Sequence, residues 1–226
     1  MTALAALALV GSASAATTIE YSYYTGTSSN DASWVIPSGY ESIKAVNFGQ
    51  TSGTTAFGGV NWLPVTTPES TNNDGPIDME YLYSGGGHYN AYYANDTSGI
   101  LTFGDYGLAS NTISLSGFTV GQEYLVQFVL ADTRNDSGIP GRTITIEGTS
   151  ANISGQNSTA YTFAYTTGEF GVVTAKFTPS VGDTAFTFTP NMGSGTQINA
   201  IQVLVPEPSA ALLGALGLLG LLRRRR

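Results

Sequence analysis

The chain has 226 residues, no cysteine, a single histidine and a formal net charge of −8. Without cysteine there are no disulfides, no thiol nucleophile and no cysteine metal site, so stability has to come from sheet pairing and core packing. With the four C-terminal arginines set aside, four basic residues stand against sixteen acidic ones, a balance of −12, which excludes nucleic acid as a partner, opposes anionic lipid and favours solubility.

The first fifteen residues, MTALAALALVGSASA, combine an apolar core from Leu4 to Val10 with a small-residue cleavage site at Ala13-Ser14-Ala15. That is the pattern of a helical secretory signal peptide, with a mature start near Ala16. No Lys or Arg precedes the apolar core, and the expectation is that the natural start lies upstream. Export implies the Sec translocon and signal peptidase as partners.

About 190 residues follow, enough for one all-β domain with a real core. Short β-branched and aromatic runs alternate with Gly, Asn, Asp and Ser clusters, which predicts strands throughout. Strands are expected over Thr18–Tyr24, Ile43–Phe48, Phe57–Val65 and Met79–Tyr83, with Thr66–Pro76 as a polar loop. Further on they are expected over Thr112–Ser116, Glu123–Ala131, Arg142–Glu147, Val172–Thr178, Ala185–Thr189 and Gln197–Val205. Glu123–Ala131 is apolar at nearly every position, which predicts a central strand covered on both faces. About ten strands with frequent turns make a single β-sandwich, jelly-roll-like, the predicted fold for 16–205.

Candidate chemistry within this body is sparse. His88 lies in the stretch GGGHYNAYY, either as a loop histidine touching a ligand or as a base or metal ligand that would need partners. Tyr81, Tyr83, Tyr89, Tyr92 and Tyr93 surround it in sequence. Tyrosine rings stack on sugar faces and carry a polar tip, so they read either as a carbohydrate surface or as core and edge packing. Trp34 and Trp62 carry the same two readings. After the central strand come Asp132, Arg134, Asn135 and Asp136. Asp132 and Asp136 can hold Ca²⁺ through oxygen ligands or satisfy their own loop by Asx turns, and Arg134 can clamp an acidic glycan or pair with either aspartate. No other cofactor is implied.

The C-terminal stretch is the most specific. Pro206-Glu207-Pro208 is followed by an uncharged run, Ser209 to Leu222, and then by Arg223, Arg224, Arg225 and Arg226. A helix over the run is apolar all round, as lipid requires. Four arginines form a stop-transfer signal, because each costs ~2.5–3.5 kcal/mol at a bilayer centre. Fourteen helical residues reach roughly 21 Å, short of the ~30 Å hydrocarbon core, so the anchor is marginal. The prolines lack amide hydrogens, which predicts an extended, accessible spacer.

This order of parts resembles the PEP-CTERM sorting signal of bacterial surface proteins. The resemblance covers 206–226. It implies recognition in the inner membrane of a Gram-negative bacterium by an exosortase, cutting near Pro206, Glu207 and Pro208, and transfer to the cell surface or extracellular matrix. The stretches SLSGFTVGQEYLVQFVLADTRN, GRTITIEG and INAIQVLVPEP in turn resemble the jelly-roll, galactose-binding-like domain found in many such proteins. The expectation is an exported, exosortase-processed surface or biofilm-matrix protein, not an enzyme, associated with extracellular polysaccharide. The alternatives are a carbohydrate-binding module using the tyrosine-rich surface, and a glycan-degrading enzyme whose carboxylate pair is set by distance in space.

Overall fold

In the computed structural model, the described residues are 16–28, 30–48, 53–65, 70–82, 86–89, 99–101, 104–107, 112–131, 143–151, 153, 160–164, 169–192 and 197–208. Their regular elements are strands, numbered here in chain order. One sheet has the order β1 (Glu20–Gly26), β13 (Phe170–Phe177), β10 (Tyr124–Ala131), β16 (Ala200–Pro206), β2 (Tyr40–Phe48), β4 (Val60–Val65), β3 (Thr55–Phe57). The second runs β12 (Ala160–Ala164), β11 (Thr143–Thr149), β14 (Ala185–Met192), β9 (Thr112–Ser116), β6 (Asp78–Leu82), β5 (Ser70–Asn72). A small third sheet joins β15 (Gln197–Ile198), β8 (Gly104–Gly107) and β7 (Gly86–Tyr89).

The two larger sheets face each other as a β-sandwich, and the side chains between them form one core. β10 shows why the pattern works. Its eight residues are all buried. Tyr124, Val126, Phe128 and Leu130 point between the sheets, while Val129 and Ala131 point the other way into a second cluster. The strand pairs with β13 and β16 along its edges, and clusters on both faces cover it, as a sequence apolar at every position but Gln127 requires. Ring pairs bridge the sheets: Phe128 with Phe188 at 5.1 Å, Phe48 with Tyr81 at 4.6 Å, Phe177 with Phe186 at 4.2 Å. Phe118 meets Tyr124, Phe177 and Phe186 edge-on and plugs one end of the sandwich.

The outer face of the seven-stranded sheet carries the second cluster, built around Trp34, Val35, Trp62, Ile100, Leu101 and Phe170. Buried amides on the sheet latch the covering loops. Gln127 donates to the Trp34 carbonyl at 3.0 Å, Gln202 to Val35 at 3.1 Å, and Asn47 to Gly99 at 3.0 Å. A loop lying on a sheet face has carbonyls to satisfy, and side-chain amides supply the donors. Trp34 and Trp62 are therefore packing residues.

Three expectations about local structure change. Phe57–Val65 is not one strand: Gly58 and Gly59 take φ of +61° and +80° and fold it into the β3–β4 hairpin, the two-residue turn that needs positive φ at both positions. The polar loop at 66–76 contains a short edge strand, β5. Gln197–Val205 breaks at Asn199, whose side chain accepts from the Ala131 amide at 2.6 Å and donates to the Leu101 carbonyl at 3.0 Å. The terminal helices expected over 1–15 and 209–226 lie outside the described residues, within which no helix is long and apolar enough to cross a membrane.

Candidate functional site: a cleft where the sheet splits

β2 and β4 run parallel, and they pair only from Val46 opposite Leu63 to Phe48 opposite Val65. Ahead of that point the strands separate. The cause is a β-bulge. Val203 of β16 faces Lys44 and Leu204 faces Ser42, so Ile43 is the extra residue on β2. A bulge bends its strand and raises the local twist, turning the first half of β2 away from its neighbour. A cleft of about 590 Å³ opens there, with Tyr40–Ala45 on one wall and Gly59–Asn61 and Leu63 on the other.

Lys44 builds the floor. Its side chain shares the inward parity of Val46 and Phe48 at the margin between the sheets and is 4% exposed. The ammonium donates to the Asn72 carbonyl at 2.6 Å, the Asp74 carbonyl at 2.8 Å and the Asn72 side-chain oxygen. Burial pushes its pKa down, and the charges of Asp74 and Asp78 oppose that shift. With three acceptors, the three N–H bonds of the ammonium are used. Lys44 is thus an internal brace that pins the turn after β5, leaving Asp74 exposed in the cleft. Gly75 follows at φ +90°, and a Cβ there would lie 3.3 Å from the Ile43 carbonyl.

The lining is rich in residues that can hydrogen-bond: Glu41, Asp74, Glu207, Ser42 and Asn61. Tyr40 stands at the end of the cleft, and its hydroxyl reaches across β16 to donate to the Glu123 carboxylate. That bond raises the Tyr40 pKa. The Glu123 carboxyl is held low, first by Lys176, whose ammonium is 2.8 Å away, and then by Tyr40. A polar lining of this kind suits a polyhydroxylated ligand, which offers a girdle of hydroxyls. Among the described residues no group of three His, Asp or Glu side chains is arranged to hold a metal ion.

Of the residues singled out from sequence, Glu207 lines this cleft. Tyr81 is fully buried and packs on Phe48, so it belongs to the core and offers no ring face to a ligand. His88 and Tyr89 lie on β7, opposite Asp105 and Gly104 of β8. Tyr83, Tyr92, Tyr93, Asp132, Arg134 and Asp136 lie outside the described residues, as do Ala13, Ala15 and Arg223 to Arg226.

The processing motif is described, and it differs from a free spacer. Pro206 is the last residue of β16, opposite Tyr40, and the Glu207 amide donates to the Gly39 carbonyl at 2.8 Å. Successive strand amides alternate in direction, so the missing N–H of Pro206 falls on the side of β10, whose pairing with β16 has already ended at Leu204. The accessible part of the motif begins at Glu207. Nothing along the chain signals the cleft, because Tyr40, Glu41, Asn61 and Asp74 come to line it only through a bulge and a split in the sheet.

No family model and no curated protein matches the chain. Among solved structures it is similar to a Bacteroides uniformis beta-glucuronidase 2, covalently bound to cyclophellitol-6-carboxylate aziridine. Identity there is 15%, with a TM-score of 0.46 over 71% of this chain and 17% of that one. It is also similar to the CBM22-1 and GH10 modules of a Clostridium thermocellum endo-1,4-beta-D-xylanase complexed with xylohexaose, at 12% identity and a TM-score of 0.37 over 57% of this chain and 26% of that one. The chain spans about a quarter or less of the length of either structure.

Proposed function

We propose that this is an exported, non-catalytic surface or matrix protein that associates with extracellular polysaccharide through its β-sandwich. In this reading residues 1–15 are removed after Ala15 by signal peptidase, and 16–205 fold as a jelly roll. An exosortase reads Pro206-Glu207-Pro208 while the apolar run and the four arginines hold the chain in the inner membrane. Supporting this is the way the chain leaves the fold. β16 is an interior strand of its sheet, yet Glu207 and Pro208, directly after it, are exposed and run into an uncharged stretch that ends in arginines. A membrane enzyme can reach these two residues without unfolding the sheet.

The observation that carries the sugar-binding part is the cleft: about 590 Å³ of open space lined by polar residues, among them Glu41, Ser42, Asn61, Asp74 and Glu207, with Tyr40 at its end. Hydroxyl-rich chains bind such surfaces weakly and repeatedly, which suits retention in a matrix.

The test is intact mass and fractionation of protein from its own host, together with retention of 16–208 on the host's polysaccharide. The expected mature chain begins at Ala16, lacks the arginines and travels with polysaccharide, and Asn61→Ala with Tyr40→Ala weakens retention at least tenfold. A mature chain that keeps its arginines and stays in the inner membrane overturns the sorting reading. Retention that ignores the cleft but falls with Tyr89, Tyr92 and Tyr93→Ala moves the site to the tyrosine-rich stretch. Polysaccharide turnover abolished by one Asp or Glu→Ala makes the protein an enzyme.

A further inference from the structure

Both chain ends leave the sandwich at the same end. β1 begins at Glu20 opposite Lys176, β10 begins at Tyr124 opposite Phe177, and β16 ends at Pro206 opposite Tyr40. The entry of β1, the exit of β16 and the turns 117–123 and 178–184 therefore share one edge of the molecule. These turns are tied together, the Gly121 amide donating to the Pro179 carbonyl at 2.9 Å and the Phe118 amide to Thr184 at 3.2 Å. Thr17 is fastened to the second turn through Ser180 and Asp183.

Two exposed large apolar side chains stand there too. Among the described residues such side chains are Tyr23, Ile36, Val120 and Val181. Val120, 43% exposed, and Val181, 70% exposed, are the tips of the two tied turns, and Ile36, 36% exposed, lines the cleft with Tyr40 and Glu207. A single exposed valine is ordinary. Two valines at the tips of tied turns, at the end from which both terminal segments emerge, form a pattern with a geometric consequence. Only Glu207 and Pro208 separate the last ladder residue from the uncharged run at Ser209. An extended chain spans at most ~3.3–3.6 Å per residue, so a tether of this length reaches no more than about 11 Å. The headgroup layer is roughly 5–7 Å deep.

Resting on the membrane-anchor reading above, we propose that this end of the sandwich is a membrane-facing surface. While the apolar run is inserted, Val120 and Val181 sit in the interface of an uncharged phospholipid bilayer. The short tether sets the orientation and the apolar tips fit it. Charge does not: Glu20, Glu41, Glu123 and Glu207 share this end with Lys176 as the basic residue described there, so anionic lipid opposes the contact.

The natural absence of cysteine makes the test direct. The full chain is reconstituted in phosphatidylcholine vesicles after labelling Val120→Cys, Val181→Cys or, at the opposite end of the sheet, Ser28→Cys with an environment-sensitive fluorophore. Blue-shifted emission and quenching by headgroup-spin-labelled lipid are expected at 120 and 181 and not at 28. Near-UV circular dichroism shows that each variant is folded, and two independent positions guard against one failing. A twelve-residue Gly/Ser linker between Pro208 and Ser209, about 20 Å in r.m.s. span, is expected to abolish the quenching while the protein still floats with the vesicles. A chain that does not float at all sinks the anchor reading and this proposal with it. Flotation with equal, aqueous emission at all three positions overturns the proposal alone, as does quenching that survives the linker.

Discussion

The sharpest stability prediction concerns Asp183, a fully buried carboxylate that holds the start of the chain. It accepts hydrogen bonds from the Thr17 hydroxyl at 2.6 Å, the Ser180 hydroxyl at 2.9 Å and the Ser150 hydroxyl at 2.8 Å. The Thr17 oxygen in turn accepts from the Ser180 amide at 2.9 Å. Hydrogen bonds to a charged acceptor contribute ~1.5–3 kcal/mol each, less where water can replace the partner. Thr17 is 2% exposed and has no such recourse, whereas Ser150 and Ser180 are only half-buried. Asp183→Ala is therefore expected to cost about 3–5 kcal/mol, a large share of the 5–15 kcal/mol of a typical domain. Thr17→Val should cost about 1.5–3 kcal/mol, with a coupling of at least ~1 kcal/mol between the two sites in a double-mutant cycle. Urea unfolding of the domain starting at Ala16 measures all three through the midpoint at constant m-value. A cost under ~1 kcal/mol for Asp183→Ala, or simple additivity with Thr17→Val, would refute the clamp. The same reasoning limits where a leader can be cut. A chain starting at Glu20 lacks Thr17 and also Ile19, which is buried in the main core, and should be less stable than either point variant.

Other outcomes follow from individual contacts. Gly117→Ala should lower stability by about 1–3 kcal/mol or more, read as a drop in Tm, because Gly117 has φ +96° and a Cβ would lie 2.6 Å from the Pro76 carbonyl. Glu123 has a folded pKa below its ordinary 4.5, set mainly by Lys176. Its contribution is present above that value and is lost as pH falls through the depressed folded pKa. Lys176→Met should flatten this acid-side loss in pH-dependent melts, and the effect should be small because the pair is partly solvated. Lys44→Ala leaves the Asn72 and Asp74 carbonyls without their donor, and limited proteolysis should then cut faster at the turn 72–75. Tyr81→Ala should destabilise by ~3–5 kcal/mol, as a large core truncation does, whereas Asn61→Ala, at an exposed position, should leave the melting curve in place and change only sugar retention.

Some features were legible along the chain because they are local. The run YLVQFVLA is apolar on both faces of an extended backbone, and that alone demands a covered, interior strand. Ile113 and Leu115 alternate with polar neighbours and lie buried on β9. The apolar terminal runs and the arginine block are likewise statements about composition, and composition suffices for them. What the chain alone left open were residues whose meaning depends on neighbours far away in sequence. Tyr81 belongs to a tyrosine-rich stretch, yet Phe48 from the facing sheet claims its ring. Pro206 looks like a strand breaker, but the pairing of β16 with β10 stops at Leu204, so the ladder on that side needs no amide from it.

By itself the sequence determined a β-rich, cysteine-free, acidic body between two apolar ends, because strand periodicity, redox chemistry and net charge are properties of residues in order. Only the tertiary structure decided that a bulge at Ile43 splits β2 from β4, that Tyr40, Asn61, Asp74 and Glu207 share one cleft, and that both ends of the chain emerge together. Those facts depend on register and on pairings 17 to 166 residues apart, and each residue taken alone satisfies many registers equally well.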